Sequence, residues 1–474
     1  MQVQATYLGE KGYTILKEGL GVKDQHFLRE HLSVRPFIPK SPVQPEPFPV
    51  YRESPKKFYI PRYFGLETYG MHDDVRIAEG ADIDLDFGGE LRDYQETIVA
   101  KYMNYVTDQN GGGLLEVPCG RGKTVIALKV VAELKKKTLI VVHKSFLLNQ
   151  WIERINTFLP GARVGKIQGQ VVDIEDKDIV IGMLQSLSMK EYPQGMFGDF
   201  GLTIVDECHH IGAEVFIRSL FKVVTKYTLG LSATMTRKDG LTKVFKMFLG
   251  DVIHSEKRDG DDKVVVKAIA YDNSDSEFSA TAIDYRGNPQ YSTMISKLCS
   301  FNMRSEFILK VLVDTLEDDP SQQVIMLAHN KSLLAYFHQA IEHRNIATVG
   351  YYIGGMKERD LKVSETKKVI LATYAMAAEA LDIKTLTTLV MATPKTDVTQ
   401  SIGRILRSKD HNPVVFDIVD KHDVFQNQWR KRKVFYRKEN YKIVFTNNYD
   451  AGEWTTLNES TDKARKGRKC LVPL

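Results

Sequence analysis

The segment Pro118-Cys119-Gly120-Arg121-Gly122-Lys123-Thr124 follows the apolar run GLLEV and precedes the helical stretch VIALKVVAEL. Glycines at this spacing let backbone N–H groups close around phosphate oxygens at a helix N-terminus. Lys123 is then placed to reach β- and γ-phosphates, and the Thr124 hydroxyl to ligate Mg²⁺. The strict phosphate-loop pattern has glycine where Val117 stands, and a Gly-rich turn that happens to precede Lys-Thr is the plain alternative. Farther on, the run Leu202-Thr203-Ile204-Val205 ends in Asp206-Glu207-Cys208-His209. A strand end there presents two carboxylates: Asp206 suits Mg²⁺, and Glu207 suits the orienting or deprotonation of an attacking water. A lone Asp-Glu pair is also common at any solvated strand end. The third group is Gln400-Ser401-Ile402-Gly403-Arg404-Ile405-Leu406-Arg407. Four fixed residues at about 1 in 20 each make QxxGRxxR a chance event only ~0.003 times in such a chain. Arg404 and Arg407, three residues apart on one helical face, can reach across a cleft to a γ-phosphate.

These groups need strands that end together and helices that start there. At 474 residues and 53.9 kDa the chain has room for two to four domains. From about residue 89, short β-branched runs (GLLEVP, TLIVVH, DIVIGML, LTIVDE, YTLGLSAT) alternate with helical stretches, the pattern of a parallel sheet covered by helices. The pattern breaks over 256–298 and resumes with VIMLAHN, KKVILATY, TTLVMATP and VVFDIVD. The sequence therefore predicts an α/β protein with an accessory region over 1–88, a first lobe over 89–255 and a connection over 256–298. A second lobe over 299–445 and a basic tail over 446–474 complete it. The Pro-rich tract 36–49 and the aromatic KKFYIPRYFGL set the accessory region apart.

Hydrophobic residues at 43% and charged residues at 26% exclude wholesale disorder and a collagen-like fibre. The sequence has no uncharged apolar run of membrane-spanning length, and MQVQATYLGEKGYTILK lacks a signal peptide's apolar stretch. A cytoplasmic protein without membrane partners is the expectation. Cys119, Cys208, Cys299 and Cys470 lie far apart, so neither a disulfide framework nor a zinc site is indicated. The net charge of +5 does not by itself require a nucleic-acid partner.

Taken in order, the motifs resemble those of superfamily 2 helicases. Leu91-Arg92-Asp93-Tyr94-Gln95 resembles the adenine-reading Q element, Val142-His143-Lys144 with Gln150-Trp151 motif Ia, and Asp206 to His209 a DExH box. Ser232-Ala233-Thr234 resembles motif III, Ala328-His329-Asn330 motif IV, Ala372 to Asp382 motif V and Gln400 to Arg407 motif VI, over roughly residues 89–445. Ala380 stands where motif V commonly has glycine. Within the superfamily, LRDYQ, ATYAMAAEALD and the NMRSEFI helix resemble the XPB-like and phage UvsW-like branch. The resemblance implies two RecA-like lobes in tandem, ATP with Mg²⁺ as cofactor, and 3′ to 5′ translocation on DNA. It further implies Arg92, Gln95, Gly120, Arg121, Gly122, Lys123, Thr124 and Asp382 around the nucleotide, and Lys123, Asp206, Glu207, Arg404 and Arg407 in hydrolysis. His209, Ser232, Thr234 and Gln400 would couple hydrolysis to movement, and Lys144 would touch nucleic acid. The expected function is remodelling of branched DNA in recombination and repair, by a monomer working on single-stranded and branched DNA beside other recombination or replication proteins. If phage-encoded, it would act in an infected bacterial cell. An RNA helicase on the same core stays open, as does an ATP-gated nucleic-acid clamp or annealing factor that does not unwind.

Phe425 to Lys438 interleaves aromatics with basic residues, so Trp429, Arg430 and Arg432 are candidate DNA contacts. An amphipathic helix packing Phe425, Trp429 and Tyr436 on the second lobe, with its charges merely solvated, is the even alternative. The accessory region either contacts DNA through the basic, aromatic stretch Lys56 to Tyr63 or braces the first lobe. Cys208 reads as a buried small apolar residue.

Overall fold

The computed structural model describes residues 6–37, 43–107, 111–118, 120–208, 213–235, 241–256, 264–379, 381, 383, 385–399, 401–402 and 413–457. The chain forms two compact units, Met1–Lys257 and Arg258–Leu474.

The first unit opens with β1 (Thr6–Gly9), β2 (Gly12–Leu16), β3 (Ser33–Val34), β4 (Phe48–Pro49), β5 (Arg52–Glu53), β6 (Lys57–Ile60) and β7 (Asp74–Val75). Five of them form a sheet in the order β5-β6-β2-β1-β7, and β3 pairs with β4. Tyr13, Ile15, Phe58 and Ile60 from this sheet join Phe216, Phe221, Phe245 and Phe248 in one buried cluster. The accessory region is thus built into the first lobe's core. The stretch Lys56 to Tyr63, a candidate for DNA contact, is largely spent on that junction. Phe58 and Ile60 are buried, Arg62 Nη1 donates to the Lys226 carbonyl at 2.8 Å, and Tyr63 Oη lies 3.1 Å from Thr228 Oγ1.

The lobe itself is an eight-stranded sheet of β8 (Gly112–Glu116), β9 (Thr138–Val142), β10 (Val164–Gln168), β11 (Val171–Asp173), β12 (Ile179–Met183), β13 (Leu202–Val205), β14 (Tyr227–Ser232) and β15 (Val252–Ser255). Its order is β11-β10-β12-β9-β13-β14-β8-β15, parallel except for the β10–β11 hairpin. Every residue of β9 and β13 is buried, which is why these runs read as continuously apolar: a parallel strand covered by helices on both faces has no wet side.

The second unit repeats the plan with β16 (Val265–Tyr271), β17 (Val324–Ala328), β18 (Val349–Tyr352), β19 (Val369–Thr373), β20 (Thr388–Met391), β21 (Val414–Asp420), β22 (Lys442–Thr446) and β23 (Thr455–Thr456). Their order is β18-β19-β17-β20-β21-β16-β22-β23, and only β22–β23 is antiparallel. Here the structure differs from the sequence boundaries. Residues 265–271, expected in the connection, form a strand between β21 and β22, and β23 lies in what was expected to be tail. The VVVKAIAY run stands between polar stretches, and its partners lie some 150 residues away in sequence, beyond the reach of local pattern.

Candidate nucleotide site

Strand β8 delivers the chain to the phosphate loop. Gly120 and Gly122 have φ of +83° and +80°, the left-handed region that glycine enters without a Cβ penalty. Gly122 starts the helix Lys123–Leu134, and a Cβ there would meet Gln95 Nε2 at 2.4 Å. The helix Asp93–Tyr105 supplies that Gln95. Its Oε1 accepts from the Arg92 amide at 3.0 Å, and its Nε2 donates to the Arg121 carbonyl at 3.0 Å, where Tyr94 Oη also donates at 3.0 Å. The Arg121 guanidinium lies 4.3 Å from the Tyr94 ring centroid and pairs with Glu256. The Q element therefore clamps the loop backbone. Lys123 and Thr124 sit in the first helical turn, where unpaired amides favour an anion.

Two strands away, β13 ends in the acid pair. Asp206 is buried, with its amide on the Val141 carbonyl at 3.0 Å and its Oδ2 accepting from the Trp151 indole at 2.9 Å. Burial, and then the neighbouring Glu207, push its carboxyl up to about 6, against the pull of Lys123 and the indole. Glu207 has φ of +48°, a conformation that costs a non-glycine residue about 1–2 kcal/mol, and its Oε1 accepts from Lys123 Nζ at 3.0 Å. The cost is met where the carboxylate must face the loop. Cys208 is buried, its thiol pushed up to about 12 by burial and both carboxylates, and so unreactive, as its sequence context suggested.

Thr124 and Asp206 fit a magnesium ion. A buried, cation-seeking carboxylate and a hydroxyl beside an anion-binding loop leave the remaining coordination to phosphate and water, the usual way proteins hold this ion. Among the described residues no group of three or more His, Cys, Asp or Glu could hold a metal alone.

Comparison with known proteins decides the family. A protein of Acanthamoeba polyphaga mimivirus named "Putative ATP-dependent RNA helicase L396" is 34% identical over 446 residues, 91% of this chain and 85% of its own. The chain is a superfamily 2 helicase. The family profile described as "Type III restriction enzyme, res subunit" matches residues 88–237 of the helicase. An Invertebrate iridescent virus 6 protein named "Putative helicase 161L" is 28% identical over 386 residues, 76% of this chain and 85% of its own. Among solved structures, S. cerevisiae Dbp5 bound to RNA and ADP BeF3 covers 77% of the helicase and 92% of itself, with 12% identity and a TM-score of 0.54.

In the helicase, the end of β14 lies against the phosphate loop: the Val117 amide donates to the Ser232 carbonyl at 2.9 Å, and the Thr234 amide to Ser232 Oγ at 3.2 Å. Glu116, which sequence reasoning passed over, ties three elements together. Its Oε1 accepts from the Met235 amide at 2.9 Å and its Oε2 from Ser255 Oγ at 2.6 Å. In sequence Trp151 stands out only as part of motif Ia; a tryptophan one strand-and-helix unit after the phosphate loop is the available signal. Lys144 precedes the helix Ser145–Phe158 that carries it, and partial burial lowers the Lys144 ammonium. His209, Asp382, Gln400, Arg404 and Arg407 lie outside the described residues.

Two candidate DNA contacts are corrected. In the helix Asp423–Lys438 of the helicase, Trp429 and Arg432 are buried. Both ends of the Arg432 guanidinium clasp Asp417 at 2.8 Å, and Nη1 donates to the Lys395 carbonyl at 2.8 Å. Neither side chain faces solvent: the packing alternative describes Trp429, whereas Arg432, expected to be solvated in that alternative, is buried because Asp417 pairs its charge. Arg430 is exposed, with Nη1 on Asn427 Oδ1 at 2.8 Å.

Proposed function

We propose that the helicase is an ATP-driven DNA motor that translocates 3′ to 5′ and remodels branched DNA. The observation that carries the hydrolytic half is the pairing of Lys123 with Glu207 beside the buried Asp206. Bound MgATP would supply the γ-phosphoryl group and a cation that neutralises developing charge. Lys123, at the loop and the helix N-terminus, exchanges the Glu207 carboxylate for phosphate oxygens. Glu207 is then released as an acceptor for a water proton, and its left-handed backbone keeps it aimed at the loop. Asp206 and Thr124 would hold the cation. The Trp151 indole fixes the Asp206 carboxylate so that it does not swing toward Glu207. Arg404 and Arg407 complete the charge stabilisation in this reading. The Ser232–Thr234 segment, bonded to the loop through Val117, transmits the change.

The choice of DNA rests on the likeness of LRDYQ, ATYAMAAEALD and NMRSEFI to the XPB-like and UvsW-like branch. A second reading, an RNA substrate, is favoured by the name of the mimivirus relative. ATP turnover measured without polynucleotide, then with single-stranded DNA, four-way junction DNA and single-stranded RNA, separates them at matched salt, because phosphate contacts make affinity salt-dependent. Strongest stimulation by junction DNA supports the proposal. Stimulation by RNA alone moves the substrate to RNA, and stimulation without strand displacement points to a clamp.

A further inference from the structure

After β16 the second unit carries a tightly pinned turn. An antiparallel bridge joins Ile283 to Pro289. The Asp284 amide donates to the Asn288 carbonyl at 2.8 Å, Gly287 N to the Asp284 carbonyl at 2.9 Å, and Gln290 N to the Ala282 carbonyl at 2.8 Å. The Asp284 carboxylate accepts from the amides of Arg286 at 2.8 Å and Asn288 at 2.9 Å, and Gly287 takes φ of +80°. A segment that only connects elements needs no such pinning, since ordering each residue costs about 1–2 kcal/mol of backbone entropy.

What the turn holds out is an aromatic ring. Tyr285 is 88% exposed, the highest value among the exposed large hydrophobic residues of the described chain, and Ile283 beside it is 61% exposed. The Arg286 guanidinium lies 5.0 Å from the Tyr285 ring centroid. The base of the turn is fixed to the end of the sheet where β17, β19 and β20 finish. Tyr291 Oη donates to the Pro394 carbonyl at 3.1 Å, its ring meets His329 edge-on at 6.3 Å, and the Lys395 ammonium lies 4.8 Å from the Tyr374 ring. Burying nothing, the Tyr285 ring adds little to folding. A flat apolar face with a guanidinium beside it, on a rigid arm whose one carboxylate is already spent on backbone amides, matches a flat base joined to a phosphate. An acidic peptide would use the charge but not the open ring.

We propose that Tyr285 is a base-stacking contact, its ring against a nucleobase and Arg286 on the adjoining phosphate. This rests on the helicase reading. The test uses the full chain and single strands, DNA and RNA, containing 2-aminopurine, whose fluorescence falls on stacking. Wild type quenches the probe. Tyr285→Ala binds about tenfold more weakly, the scale of one lost stacking contact, and loses the quench, while Tyr285→Phe keeps both. Neither variant changes the unfolding midpoint, because the side chain is exposed. Tyr285→Ala binding and quenching like wild type overturns the stacking contact alone. A wild-type chain that binds neither strand and shows no stimulated ATP turnover overturns the nucleic-acid motor and the contact with it.

Discussion

In the first lobe, Asp206 is buried with one indole donor, a second carboxylate as its neighbour, and a lysine that pairs with that neighbour. In the second lobe, Asp420 and Asp417 are buried as deeply, each in a two-pronged arginine clasp. Arg304 donates to Asp420 at 2.6 and 2.8 Å and to the Ala392 carbonyl at 2.6 Å. Arg432 clasps Asp417, which also accepts from Tyr436 Oη at 2.9 Å. The same residue type at the same depth serves opposite ends. A carboxylate whose lone pairs are filled by a fork of fixed donors is finished and holds helices to a sheet. One left next to like charge, with its pKa pushed up, is unfinished, the kind of group found where a ligand binds.

The largest expected effect follows from the unfinished pair. Glu207→Gln keeps an acceptor for Lys123 but removes the base proposed for the reaction, so ATP turnover should fall by about 10²–10⁴-fold. The unfolding midpoint should stay or rise, because Asp206 loses a like-charged neighbour. Turnover within tenfold of wild type would sink the role given to Glu207.

The finished pairs should behave the other way. Asp417→Asn strands the Arg432 charge in the core and should lower stability by about 3–5 kcal/mol, read as a lower urea midpoint for the second lobe. Replacing both members, Asp417→Leu with Arg432→Met, should recover much of that loss, since a matched apolar pair leaves no buried charge unpaired. A cost of the single change near zero would show that the clasp is dispensable.

The two sites also differ in how legible they are. The phosphate loop and Asp206-Glu207 declare themselves because their chemistry depends on neighbours in sequence: a strand, glycines that can take positive φ, then Lys and Thr. Arg432 does not, since its partner Asp417 lies on another element and basic residues on helices are ordinarily solvated. A signal existed, however: Phe425, Trp429, Arg432 and Tyr436 fall on one helical stripe, and an arginine within an apolar stripe must find a carboxylate. Strand β16 escaped because its pairing is remote. The Trp151 indole and the Glu116 carboxylate escaped because a side-chain hydrogen bond across elements leaves no periodicity to read.

The comparison sharpens with pH. Asp206 stands at about 6 in the fold against 3.8 for the free side chain, so folding disfavours its charged form. Below about pH 4 both states are protonated and no penalty exists; between about pH 4 and 6 the unfolded chain ionises first and stability falls; above about pH 7 the penalty is constant. The first lobe's unfolding midpoint should drop through that window in wild type more steeply than in Asp206→Asn. Identical slopes would mean that Asp206 is not held against ionisation.

The smallest and most specific effect belongs to Trp151. Its indole is the side-chain donor that, with the Lys123 charge and the Glu207 backbone amide, favours the charged form of Asp206, so Trp151→Phe should raise that carboxyl further. The pH dependence of kcat/KM for ATP reports groups of the free enzyme, and its acid limb should move upward by up to about one pH unit, equivalent to roughly 1.4 kcal/mol of lost hydrogen bonding. Packing offers a competing account, because Trp151 is buried in the core beside Leu147, Leu148 and Ile155, and the smaller ring leaves space. A packing loss lowers the unfolding midpoint and leaves the acid limb in place. Movement of the limb therefore assigns the indole to the electrostatics of the site, and a destabilised variant with an unshifted limb assigns it to the core.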